Sequence, residues 1–146
     1  MAAGIAVLAI AGCGGGSDET EPEALSKAQY IKQADAICNR TNDRQEALLK
    51  QEIQDRKATG VPSNSERSAF VTNSGLPPLE EEADRLEALG GPTGEEDKAE
   101  ALVSALRKAV TDIEAEPLAF AEAESEAFAP VEQIALKLGL KVCGYP

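Results

Sequence analysis

The sequence predicts an all-α fold, a small helix bundle of about four helices with proline-kinked segments. Three observations carry this. Apolar residues recur in steps of three and four over most of residues 25–146. Capping signals and Gly/Pro stops divide that stretch into helix-length pieces. No window alternates apolar and polar residues with β-branched enrichment, so no sheet is expected.

The first helix opens at Ser26, where Ser26-Lys27-Ala28-Gln29 has the form of a capping box. Its stripe is Tyr30, Ile31, Ala34, Ile37, Cys38, Thr41, Leu48, Leu49 and Ile53, and Thr59-Gly60 with Pro62 beyond ends it. Polar residues crowd Arg40 to Arg44, which marks a place for a bend. A second helical piece over Ser63 to Thr72 is expected to break or kink at Asn73-Ser74-Gly75 and Pro77-Pro78. It resumes through Leu79, Ala83, Leu86 and Leu89 and stops at Gly90-Gly91-Pro92. Thr93-Gly94-Glu95-Glu96 repeats the capping-box form, and Ala99, Leu102, Val103, Leu106, Val110 and Ile113 follow as the best amphipathic pattern in the chain. Pro117 closes that helix. The fourth is expected in two parts, Leu118 to Phe128 and Val131 to Leu138, parted by Pro130. Gly139 reads as its left-handed cap and Leu140 as the apolar partner of that cap.

Composition excludes several chemistries. The 146 residues hold 14 Lys+Arg against 26 Asp+Glu, a net charge of −12, with no His and no Trp. Without His there is no Ser-His-Asp or Cys-His pair, no His-ligated zinc and no Glu-x-x-His di-iron motif. The charge repels phosphate backbones, and five aromatics give bases little to stack on, so nucleic acid is a poor partner. No cofactor motif, metal-ligand set or catalytic residue is assigned. Gly14 to Gly16 lacks the Lys-Ser/Thr of a phosphate loop, and no calcium-loop pattern occurs.

Residues 1–12 are uncharged and mostly Ala, Ile, Val, Leu and Gly, too short to span a membrane and of the length of a signal-peptide core. They end in Ile10-Ala11-Gly12-Cys13, which resembles the bacterial lipobox. The resemblance implies that Ile10, Ala11 and Gly12 fill the recognition positions of the peptidase. Cys13 would receive a diacylglycerol and become the first mature residue. Met1-Ala2-Ala3 lacks the usual Lys or Arg, so either the start codon lies upstream, the favoured reading, or export is inefficient. Residues 13–24 then form a flexible acidic tether, with Asp18, Glu19, Glu21 and Glu23 and no cation. The helical bundle domain occupies residues 25–146.

With Cys13 assigned to lipid, Cys38 and Cys143 remain as an even pair 105 residues apart. An oxidising compartment makes a disulfide the expected fate. Two buried free thiols are the alternative, and a redox pair is disfavoured because no Cys-x-x-Cys occurs.

The acidic runs have plain readings. Glu80-Glu81-Glu82 and Glu95-Glu96-Asp97 are expected at helix N-termini, where the dipole favours them, rather than at a cation or acid–base site. Glu122 and Glu126 share a helix face and read as solvated. Asn39-Arg40-Thr41 matches a glycosylation sequon inside a predicted helix and is set aside. Tyr30, Phe70, Phe120 and Phe128 are core before they are a ligand cage.

Four stretches taken in order are similar to a group of small secreted lipoproteins of actinobacterial type. They are Ala34-Asp35-Ala36-Ile37-Cys38, Leu76-Pro77-Pro78-Leu79 leading to Leu86-Glu87-Ala88-Leu89, the Pro92-to-Glu95 loop, and Gly139-Leu140-Lys141-Val142-Cys143. The resemblance implies a lipid-anchored helical domain with paired cysteines and carries no catalytic residues with it. The expectation is therefore a non-enzymatic binding or interaction module of the cell envelope. It would sit on the extracytoplasmic face of the bacterial cell membrane, held there by the lipid on Cys13. Its partner would be an envelope protein or a small ligand. A carrier or sensor of a small hydrophobic ligand, with a pocket lined by Phe120, Phe128 or Tyr30, is the alternative. A carboxylate-based hydrolase comes third.

Overall fold

At Ser26 the capping box forms: the hydroxyl accepts from the Gln29 N–H, and the Gln29 side chain reaches back to the Ser26 N–H at 3.0 Å. The computed structural model describes residues 25–122 and 124–143, without the side chains of residues 122, 124 and 125. The readings on residues 1–12, on Cys13 and its tether, and on the Glu122 carboxylate lie outside the described residues. What is described is an all-α bundle, whose one β feature is an isolated bridge between Leu25 and Pro92.

Helix α1 runs without a break from Lys27 to Thr59, through the polar stretch Arg40 to Arg44. Arg40, Asp43 and Arg44 are exposed, which accounts for their polar character within a helix, and Thr41 is buried. Gly60, at φ +96°, terminates the helix, its N–H donating to the Arg56 carbonyl at 2.8 Å.

A second capping box, Ser63 with Glu66, starts α2 (Asn64–Phe70). Where a break or kink is expected after it, a π-helical turn, Val71–Gly75, hands the chain on to α3 (Leu76–Leu89). Pro77 and Pro78 lack N–H groups and their rings crowd the carbonyls four residues back. A wider turn gives that crowding room, and the Leu76 N–H donates five residues back to Val71. Gly90 closes α3 at φ +72°.

Helix α4 (Glu96–Ala115) starts without the expected capping box. Glu95 is its N-cap and makes no side-chain cap. Glu96 accepts from its own backbone N–H and bends back to the Gly94 N–H at 3.0 Å, and these two bonds hold its pKa below the usual carboxylate value. Glu96 and Asp97 do occupy the first turn, where the dipole favours them.

Pro117 opens α5 (Pro117–Glu122), and α6 (Glu124–Leu138) carries Pro130 inside it. The division expected at Pro130 is therefore misplaced. Pro130 and Glu126, whose carbonyl loses its donor to the proline, are both exposed, and burial of Val131, Ala135 and Leu138 beyond them holds the helix together. At the end of α6 the Leu140 N–H donates to Ala135 and the Gly139 N–H to Leu136, both at 3.0 Å, with Gly139 at φ +86°. This is the Schellman cap read from Gly139-Leu140, and Leu140 is buried.

Helix α3 packs against both α1 and α4, α4 packs against α6, and α2 lies on α5. The core is built from Tyr30, Ala34, Leu86, Leu102, Leu106, Ile113 and Leu138, each at most 2% exposed. Burying a leucine or isoleucine of this kind contributes about 1.5–3 kcal/mol. The Leu25 carbonyl accepts from the Thr93 N–H at 3.0 Å, tying the start of the domain to the α3–α4 loop. No helix among the described residues is long and apolar enough to cross a membrane.

Candidate functional site: an apolar cleft beside a clasped core

The first half of α1 is core, and the second half is not. Tyr30, Ala34, Ile37, Cys38 and Thr41 are buried, while no residue of α1 after Thr41 is. Helix α1 is 33 residues long and α3, its main partner, has 14, so α1 overhangs the bundle. Under the overhang lies a cleft of about 480 Å³. Leu48, Leu49 and Ile53 line it from α1, Phe70, Val71 and Leu76 from the proline-bearing segment, and Phe120 and Phe128 from α5 and α6. Leu49 and Ile53 remain 52% and 47% exposed. The two phenylalanines meet edge-to-face with centroids 5.9 Å apart. At the mouth, Arg56 pairs with Glu52 at 2.7 Å, and an Arg67 guanidinium N–H donates to the Ala121 carbonyl at 3.5 Å.

Of the aromatic residues named for a ligand pocket, Phe120 and Phe128 line this cleft and Tyr30 does not. Tyr30 is fully buried in the core, its hydroxyl has no hydrogen-bond partner among the described residues, and burial pushes its pKa up to about 12.

The cysteines lie beside the inner end of the cleft. Cys38 and Cys143 form a disulfide, Cα atoms 5.2 Å apart, that fastens the end of the described chain to α1. A small space of about 30 Å³ between the disulfide, Leu79, Glu82 and Phe128 shares residues with the cleft wall. One turn before Cys38, the Asp35 carboxylate accepts the N–H groups of Lys141 and Val142. In the sequence, Asp35 stands out only within the Ala34-Asp35-Ala36-Ile37-Cys38 stretch of the family resemblance. No local signal announces a carboxylate whose partners lie more than a hundred residues away.

The Glu80-Glu81-Glu82 run does not sit at a free helix N-terminus, as expected. It falls in the second turn of α3, behind a continuous helical turn, and its members have three environments. Glu80 is exposed. Glu81 is held by Arg85 and Arg44, which keeps its carboxyl below the usual range. Glu82 is 6% exposed; burial pushes its pKa up, and a hydrogen bond with Thr41 opposes that rise. Glu81 and Glu82 line one pocket, so two carboxylates with pKa values pushed apart do meet. Both oxygens of Glu81 are engaged by guanidinium groups, which leaves it a poor proton acceptor. Among the described residues no three acids or cysteines gather to hold a metal ion.

No family model matches the chain, and no curated protein or solved structure matches it either.

Proposed function

We propose that this chain is a non-enzymatic, lipid-anchored binding module of the bacterial cell envelope, and that the cleft under α1 is its binding site for a small hydrophobic compound. The anchor would be the lipid on Cys13, at the extracytoplasmic face of the membrane, joined to the bundle by the acidic tether. The observation that carries the binding reading is the overhang of α1. It leaves Leu49 and Ile53 half exposed opposite three phenylalanines, where a closed bundle would bury them. The cleft volume, about 480 Å³, falls in the range of small-molecule sites, about 300–1,000 Å³. A second reading, in which the cleft takes an apolar side-chain cluster of an envelope protein, draws on Leu49 and Ile53 lying on the rim.

The chain has no tryptophan, so Phe120→Trp places a single reporter in the cleft. Titration with a lipophilic probe such as N-phenylnaphthylamine is expected to quench or shift its emission saturably and to raise the thermal midpoint. Absence of both effects removes the small-ligand reading. Intact-mass measurement of native protein is expected to show an acyl addition at Cys13. An unacylated chain starting at Met1 removes the anchor.

A further inference from the structure

On another face of α1, and sharing no residue with the apolar cleft, three arginines line one pocket of about 210 Å³. Arg40 and Arg44 stand one turn apart on α1, and Arg85 faces them from α3. The cluster runs against composition, because the whole chain carries nearly two acids for each cation. Its local balance is positive. Of the two acids on its wall, Glu81 accepts from Arg44 at 2.8 Å and from both Nε and Nη2 of Arg85, at 3.0 and 2.5 Å. The second acid on the wall, Glu82, is buried and hydrogen-bonded with Thr41. Arg40 is exposed and makes no ion pair or hydrogen bond with any described residue. One guanidinium therefore has all its donors open, and two others are fixed in direction by Glu81.

We propose that this pocket binds a phosphate group, as the free ion or as an anionic lipid headgroup. Guanidinium forks match phosphate oxygens bidentately. Arg40 offers a whole fork, and Arg44 and Arg85 offer the N–H groups that Glu81 leaves open; donors from three sides suit a tetrahedral anion with four oxygens better than a planar carboxylate with two. The net charge of −12 opposes an arriving anion only at long range. At about 0.15 M salt the Debye length is about 8 Å, which screens distant carboxylates while contacts inside the pocket survive.

The test uses the 146-residue chain carrying Cys13→Ser, so that no acyl group enters the vesicle arm. Inorganic phosphate is titrated into the labelled protein while the arginine side-chain N–H resonances are followed. In parallel, co-sedimentation is measured with phosphatidylcholine vesicles with and without phosphatidylglycerol. Saturable shifts at Arg40, Arg44 and Arg85 with phosphate identify the free ion as a ligand. Sedimentation that requires phosphatidylglycerol identifies the headgroup. In either arm Arg40→Gln is expected to weaken binding about tenfold, the loss of one charge-assisted contact. Its thermal midpoint should stay at the parent value, since Arg40 supports no described neighbour. Lack of response in both arms overturns the site, as does binding that survives both Arg40→Gln and Arg85→Gln unchanged.

Discussion

Asp35 Oδ1 accepts the backbone N–H of Lys141 at 2.9 Å, across 106 residues of chain. The same oxygen takes the Val142 N–H at 3.0 Å, and the disulfide from Cys38 follows one helical turn on. The terminal segment is thus held twice over, by a covalent bond and by a carboxylate that turns two unpaired donors toward α1. The disulfide alone fixes one point; the carboxylate sets the direction in which residues 140–143 leave the Schellman cap. Asp35→Ala is expected to destabilise the fold by roughly 1–3 kcal/mol, the range for a half-buried charged acceptor of two hydrogen bonds. Amide exchange at Lys141 and Val142 should accelerate with the disulfide intact. Unchanged exchange at both amides would show that the disulfide suffices.

Two glycines in similar surroundings by sequence are opposite in structure. A Cβ on Gly91 would sit 2.5 Å from the Glu96 Cα and 3.2 Å from the Ala99 Cβ, because the α3–α4 loop presses its backbone on the start of α4. Gly75, in the π-helical turn, has right-handed angles (φ −76°, ψ −43°) and nothing within 4 Å of an added Cβ. Gly91→Ala should therefore cost about 1–3 kcal/mol. Gly75→Ala should add about 0.5–1 kcal/mol of stability by restricting the unfolded chain. Urea unfolding of both variants checks the pair.

What could be read in the sequence follows from range. The Ser26 box, the Gly139-Leu140 cap and the α4 stripe from Ala99 to Ile113 are all decided within a few residues, and each forms as expected. The same local rules misplace the prolines. Pro77 and Pro78 do not break the chain, since the Val71–Gly75 turn widens around them, and Pro130 rides inside α6 because tertiary burial on either side outweighs one lost hydrogen bond. The candidate site was legible only in its parts. Phe120 and Phe128 stood out as rare aromatics, but the cleft exists because α1 outruns α3, a relation between two helix lengths. Arg40, Arg44 and Arg85 looked like ordinary surface charge; only the α1–α3 packing gathers them.

Tyr30 buries a hydroxyl that finds no partner among the described residues, so the core carries a cost there. Tyr30→Phe keeps the ring and removes the orphan group, and should stabilise the protein by roughly 1 kcal/mol at neutral pH. The pH dependence has a definite sign. In the fold the phenol titrates at about 12 against an ordinary 10.0, so between these values the unfolded chain ionises first. The parent therefore loses stability as pH rises through that window. Tyr30→Phe should flatten this alkaline loss in chemical denaturation series. An equal loss in both proteins would assign it to other groups.

Glu82 gives the corresponding test on the acid side. Its folded pKa lies above the ordinary 4.5 because burial disfavours the charge, with the Thr41 hydrogen bond only partly offsetting that effect. Below the unfolded pKa the carboxyl is neutral in both states and costs the fold nothing. As pH rises through the folded pKa, the native state must give up a proton it holds more tightly than the unfolded chain does, and stability falls. Glu66, Glu81, Glu95 and Glu96 act in the opposite sense: their lowered pKa values add stability above the ordinary value, lost as pH falls. The parent's acid profile is a sum of both, so the difference between parent and Glu82→Gln isolates the buried group. Arg40, Arg44, Arg85 and Glu81, which face the same pocket, are unchanged in that comparison. Glu82→Gln is expected to be more stable than the parent at neutral pH, with the gap closing below about pH 4.5. A gap independent of pH would mean that glutamine gains by packing or hydrogen bonding rather than by removing a buried charge.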